Sequence, residues 1–309
     1  MIEIAYTGFM EIIVNQILIM AILIVVGYGL CKSHFIDDQV TKGISNILLR
    51  FVIPVTIMES FNQAFSVEKL KQILFVSFLS VVFTLLTIMI AKMFFKDDER
   101  IEQYAVIFTN KGFVGIPIIA AVFGSEAITI VTPIIVVTNI FAWTYGMALL
   151  YNEKLNFDLR KLITNPSIVG LLCGLVLFFL PFELPYVFSK SMNYLTSMNT
   201  PLAMMIIGAY LADESMQAIF MNKAAYKVSF FRLIVTPLVV LFLIQWLPLD
   251  LVTKGVMVVS FGVPSAANTA MFAQLAGEDY SFGAQIVCLT TMLSGLSLPL
   301  LLYVMEMLL

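Results

Sequence analysis

Apolar runs of the length that crosses a lipid bilayer follow one another along almost the whole of this chain. A spanning helix needs roughly 20 apolar residues. Runs of that order occupy 12–31, 42–61, 73–94, 103–123, 128–150, 165–183, 192–212, 225–247, 252–275 and 283–306. Period-two alternation does not recur, which argues against a β-barrel. Only 12 % of the 309 residues are charged and the mean hydropathy is +0.99. Soluble domains carry about 25 % charged residues, so this chain lacks the means to cover a water-facing surface. The fold class expected is therefore an all-α membrane protein with ten transmembrane helices. Glu3 and Glu11 stand where a secretory signal would be cationic, and the first run is expected to remain as a helix.

Ten helices place both termini on one side of the cell membrane. Lys32, Lys42, Lys92, Lys96, Arg100, Lys154, Arg160, Lys161, Lys223 and Lys227 fall at one set of helix ends, against Lys69, Lys71, Lys190 and Lys254 at the other. The excess of cations marks the cytoplasmic face, so both termini are expected outside. The net charge of −3 gives no footprint for nucleic acid. Membrane lipid is the expected surrounding, and a homodimer is left open. Cys31, Cys173 and Cys288 have no paired spacing and read as small apolar residues.

The two halves of the chain echo one another. "FVGIP" at 113–117 matches "SFGVP" at 260–264, and Pro117 and Pro264 lie 147 residues apart. Pro54 and Pro201 have the same separation. Each half holds an odd number of runs, so the second must enter the membrane from the opposite side. The expected architecture is a five-plus-five inverted repeat, 1–150 and 151–309, as in many secondary transporters. Its longest polar connection is 151–165.

A proline inside a helix removes a donor and strands the carbonyl four residues earlier. Pro117 would free the carbonyl of Phe113, and Pro264 that of Ser260. Gly112, Gly115 and Gly262 weaken the same helices and admit another backbone. Hydrocarbon does not tolerate unpaired backbone, so runs 4 and 9 are expected inside the bundle, broken near the midplane. Half-helix N-termini then direct partial positive charge at one place. Polar side chains gather on the same and neighbouring runs: Asn110, Lys111, Asn139, Ser265, Asn268 and Gln285. With the glycines and prolines 112, 115, 117, 262 and 264, these are the expected substrate-binding residues. Lys111 either contacts substrate, snorkels, or pairs with an acid such as Glu102. Arg50 and Arg232 lie nearer helix ends and are expected to snorkel. Glu59, Asp213 and Glu214 are expected to be solvated at the interface rather than to carry protons. Trp143 and Trp246 fit interfacial belts, although Trp143 could face the bundle.

"NKGFVGIPIIAAVFG", "TNIFAWTYG" and the stretch "GVPSAANTAMFAQLAGEDYSFGAQIVCLTTMLSGLSLPLLL" together resemble the auxin efflux carrier family, which includes the plant PIN-FORMED transporters and bacterial carriers. The likeness extends over essentially the whole chain, except that 151–165 replaces the plant proteins' long central loop. It implies that helices 4 and 9 cross at their prolines. It also implies a scaffold of helices 1, 2, 6 and 7 and a moving transport domain of helices 3–5 and 8–10. Implied substrates are organic anions: auxin in plants, dicarboxylates such as malonate or malate in bacteria. The residues carried over are Asn110, Pro117, Asn139 and Pro264. Lys111 departs from the plant pattern, which has an uncharged residue there, and suits a more strongly charged anion.

The function expected is secondary transport of a small organic anion, a dicarboxylate or an auxin-like acid, by alternating access. Proton, sodium or membrane potential could drive it. No cofactor and no metal site is expected. A sodium-coupled symporter of the bile-acid type and a ligand-binding sensor are the alternatives. An enzyme is not expected: His34 is the sole histidine, and neither HExxH nor a nucleotide loop occurs.

Overall fold

The computed structural model describes residues 2–62, 66–124, 127–153, 166–179, 184–212 and 216–308. They form α1 (Ile2–Lys32), α2 (Asp38–Ile47), α3 (Ile53–Ser60), α4 (Val67–Phe94), α5 (Arg100–Ile107), α6 (Ile116–Phe123), α7 (Ile128–Phe141), α8 (Met147–Leu150) and α9 (Pro166–Phe179). Then follow α10 (Tyr186–Ser197), α11 (Asn199–Leu211), α12 (Met216–Met221), α13 (Lys223–Phe230), α14 (Thr236–Ile244), α15 (Leu251–Gly262), α16 (Asn268–Ala276) and α17 (Tyr280–Leu308). Most of the loop expected at 151–165 lies outside the described residues, as do Asp213 and Glu214.

Five stretches are long and apolar enough to cross a membrane: Asp38–Glu59, Leu70–Phe94, Ile128–Leu150, Lys223–Ile244 and Tyr280–Leu308. Leu18–Lys32, Ile168–Phe179 and Leu251–Gly262 are shorter apolar helices. Large apolar side chains such as Ile22, Phe78, Val176, Phe242 and Leu296 stand exposed on their outer faces. Water would penalise such a surface and lipid would not. This is a multi-pass membrane protein. Trp246 is exposed, whereas Trp143 packs inward against Phe272 with ring centroids 4.8 Å apart.

Short polar residues start the helices. Asp37 accepts from the Val40 amide at 2.8 Å, Asp250 from that of Thr253 at 2.9 Å, and Asn222 from those of Ala224 and Ala225. Each satisfies amides that the first turn leaves without a helical partner. Three prolines inside the long rods are handled differently. Pro54, Pro117 and Pro237 each lie two residues beyond a wide π turn, at Leu48–Val52, Lys111–Gly115 and Phe231–Val235. In the first and last of these the residue before the proline bonds back five residues, Ile53 to Leu48 and Thr236 to Phe231. The extra residue absorbs the hydrogen bond that the proline cannot make.

Glycines bring two pairs of helices into backbone contact. α1 packs along α11, and α9 along α3. A Cβ on Gly208 would collide with the carbonyl of Ile24, and one on Gly27 with that of Met205. A Cβ on Gly174 would lie 3.2 Å from the Cα of Met58. Small residues at such contacts are what lets membrane helices gain close packing. Replacing Gly208 with Leu should cost about 1–3 kcal/mol of packing, seen as a lower melting temperature and folded yield. Gly29→Leu, at an exposed position where a Cβ would meet nothing within 4 Å, should melt like the parent.

Candidate functional site

Two rods are interrupted and meet at their interruptions. α5 stops at Ile107 and its continuation begins with the π turn at Lys111; α15 stops at Gly262 and α16 begins at Asn268. The exposed backbone of each gap is paired by the other. The Asn110 amide donates to the Pro264 carbonyl at 2.8 Å, and the Ala266 amide to the Phe108 carbonyl at 3.0 Å. Thr109 and Ser265 thus sit opposite each other as one rung of an antiparallel ladder.

Side chains complete the accounting that helix ends demand. Pro264 strands the Ser260 carbonyl, as expected from sequence, and the Thr109 hydroxyl donates to it at 3.1 Å. The Ser265 hydroxyl donates to the Ala105 carbonyl at 2.9 Å, and the Ser265 amide to the Thr290 hydroxyl at 3.3 Å. Arg232, from the π turn between α13 and α14, serves both interrupted helices at once. One guanidinium nitrogen donates to the Val106 carbonyl at 2.6 Å and the other to the Phe261 carbonyl. These are the last turns of α5 and α15, the negative ends of two helix dipoles, and a cation between them is favoured. Arg232 is 0 % exposed. The expectation that it snorkels is therefore wrong: two converging rows of carbonyls offer it more than the interface would.

The break in the first half is also not where its proline predicted. The chain leaves the helix at Phe108–Asn110, seven residues before Pro117, and Pro117 itself begins the regular helix α6. The Asn110 carbonyl accepts from both Val114 and Gly115 at 3.2 Å, which winds the π turn that precedes the proline. In the second half the gap does contain Pro264.

A cavity of about 680 Å³ abuts this crossing. One wall is made by residues 108–112 and 266–268 with α7, the other by α3, α10 and the start of α11. Asn110, Lys111, Gly112, Asn139 and Asn268 line it. Pro264 and Ser265 belong to the crossing behind that wall. Gly115 is in the π turn and is not among the lining residues, and Pro117 is in α6. Gly262 ends α15, where a Cβ would strike Leu301, and acts in packing. Gln285 lies elsewhere: its side-chain oxygen accepts from Asn222 at 2.8 Å, tying α17 to the cap of α13.

Lys111 is 2 % exposed. It neither snorkels nor meets Glu102. Its ammonium donates to the Thr109 hydroxyl and lies 4.6 Å from the centroid of the Phe261 ring. Among the described residues the ion pairs are Arg100–Glu278 and Lys227–Glu99, both at 3.0 Å. Neither buried cation takes part in one. Among the described residues the carboxylate on the cavity wall is Glu59, at the far end of α3, where it accepts from Asn193 at 3.4 Å. Thr109, Arg232, Glu59 and Asn199 were not singled out as site residues by sequence. The ionisable residues Arg232 and Glu59, inside apolar runs, were the available signals among them.

The sequence profile of the family described as membrane transport protein matches residues 12–156 and 151–302. The chain belongs to this family, that of the auxin efflux carrier-like membrane transport proteins. It is also similar to an uncharacterized transporter of Methanocaldococcus jannaschii, 27 % identical over 302 residues, which span 93 % of this chain and 96 % of the relative.

Arg232→Met should strand two carbonyls and lose charge-assisted bonds of about 1.5–3 kcal/mol each. Thermal melting and folded yield should both fall well below those of Arg50→Met, since Arg50 is exposed.

Proposed function

We propose that this protein is a secondary carrier of a small organic anion that binds at the crossing. The observation that carries the reading is the buried Lys111 on the cavity wall, held by a hydroxyl and an aromatic face with no carboxylate partner among the described residues. Arg232 adds a second buried cation behind it. Uncompensated charge at that depth is costly, and a bound carboxylate supplies the missing counter-charge. Asn110, Asn139 and Asn268 offer amides to the same ligand, and the chain re-enters its helices beside it at Lys111 and Asn268, with positive dipole ends. The aliphatic side chains of Leu48, Ile53, Ile57 and Ile135 suit the carbon body of such an acid.

Alternating access follows from a division into two bodies. The scaffold comprises α1, α2–α3 and α9–α11; the transport body comprises α4–α8 and α13–α17. The inverted repeat that generates them is supported by more than its prolines. Gly27 and Gly174 are 147 residues apart, and so are the residues they touch, Met58 and Met205. The contact of α1 with α11 is thus repeated by α9 with α3. The cavity lies between the two bodies, so sliding one against the other would move its opening from one face to the other. Membrane potential could drive an anion at about 2.3 kcal/mol per charge per 100 mV; a proton or sodium gradient could do the same.

The test is ligand-induced thermal stabilisation across a panel of organic acids, with and without sodium, followed by flux of the stabilising acids into proteoliposomes. Stabilisation without flux would make the protein a sensor, and stabilisation that needs sodium a sodium-coupled symporter. Asn110→Ala should lower uptake about tenfold or more while folded yield is kept, the loss expected for a bond to a charged group. Lys111→Met should weaken divalent anions more than monovalent ones. Equal binding of both by the variant and the parent would remove Lys111 from the site.

A further inference from the structure

On the side of the crossing away from the cavity, one tyrosine bridges the two bodies. Tyr210, near the end of α11, is 3 % exposed. Its hydroxyl donates to the Gln274 side-chain oxygen at 2.8 Å, which leaves the Ser45 hydroxyl, 3.0 Å away, to donate to the tyrosine. Its ring lies 4.9 Å from that of Tyr280, and its carbonyl accepts from Ser281 at 3.4 Å. Tyr280 in turn reaches Asp38 at 3.4 Å. Tyr210, Ser45 and Asp38 are on the scaffold; Gln274, Tyr280 and Ser281 are on the transport body.

We infer that Tyr210 is a gating residue: its hydroxyl, shared with Gln274, latches the far end of the cavity and is released when the transport body moves. The inference rests on the two-body carrier reading above. Three features favour a latch over a static contact. The junction is polar and small, so each bond can be exchanged for water at little net cost. It bridges scaffold and transport body, which must slide past one another. It also shares a helix face with the cavity. Asn268 and Met271 line the cavity, and Gln274 stands three residues beyond Met271 on the same face of α16, about 9 Å from Asn268 along the axis. An anion that draws on Asn268 therefore acts on the half-helix that carries the latch.

The experiment uses full-length protein in which Cys31, Cys173 and Cys288 are replaced and Met271→Cys supplies a reporter. Oriented vesicles are labelled with a membrane-impermeant maleimide from either face, without any acid present. The parent should label faster from the face where Glu59 lies than from the face where Asp38 lies. Tyr210→Phe keeps the ring and removes the hydroxyl. It should shift the ratio of the two rates about five- to tenfold toward the Asp38 face, the loss of one buried hydrogen bond. Gln274→Leu should do the same, and the double variant should add nothing further, because both remove the same bond. An unchanged ratio in both single variants, or additive shifts, would overturn the inference. Should Tyr210→Phe fail to fold, Gln274→Leu alone decides it. Labelling reads the opening without transport, so a shifted ratio beside no flux of any acid in the panel would defeat the carrier reading while the tyrosine's control of the opening stands. Flux with an unshifted ratio would do the reverse.

Discussion

Two helices can break inside a membrane only if something replaces the hydrogen bonds they give up, and here each break is repaired by the other. The Asn110 amide and the Phe108 carbonyl meet the Pro264 carbonyl and the Ala266 amide. The pairing also fixes register, since one rung, Thr109 opposite Ser265, sets which side chains face the cavity and which face the packed interior. Lys111 and Asn268 follow the two strands of that rung and reach the cavity wall. Thr109 and Ser265, between them, are consumed in closing carbonyls.

Charge is arranged on the same frame. Helices α5 and α15 arrive at the crossing with their negative ends, and Arg232 lies between those ends. The segments that leave the crossing do so with positive ends, and these border the cavity. One side of the junction is thereby neutralised by the protein, and in the proposed carrier the other side receives the anion. Lys111 strengthens the second. Among the described residues Lys111 and Arg232 take part in no ion pair, whereas Arg100–Glu278 and Lys227–Glu99 do.

Much of this plan was legible in the sequence because its signals are local. A proline in an apolar run, glycines beside it and an amide nearby mark two runs that break, and Pro264 alone marks the Ser260 carbonyl as stranded. What was not legible depends on partners from distant parts of the chain. Pro117 looked like the site of a break, yet a π turn accommodates it, because the real gap is placed by pairing with residues about 155 positions later. Arg232 read as a snorkelling residue because nothing in its own helix shows that two other helices end against it. Gln285 read as a site residue for its polarity alone, and its partner Asn222 could not be found by spacing. Glu59 was expected at an interface for its charge alone, and the cavity that reaches it is walled by α10, which the sequence does not bring near.

The wide turn at Leu48–Val52 has a consequence of its own. It inserts one residue into an otherwise regular rod, and in a helix of 3.6 residues per turn one residue is a rotation of about 100°. Thr56, Ile57 and Glu59 follow that insertion and face the cavity. The azimuth of this wall is therefore set by a backbone irregularity several residues away, and an evolutionary deletion there would swivel the wall toward lipid without shortening the protein by any appreciable length.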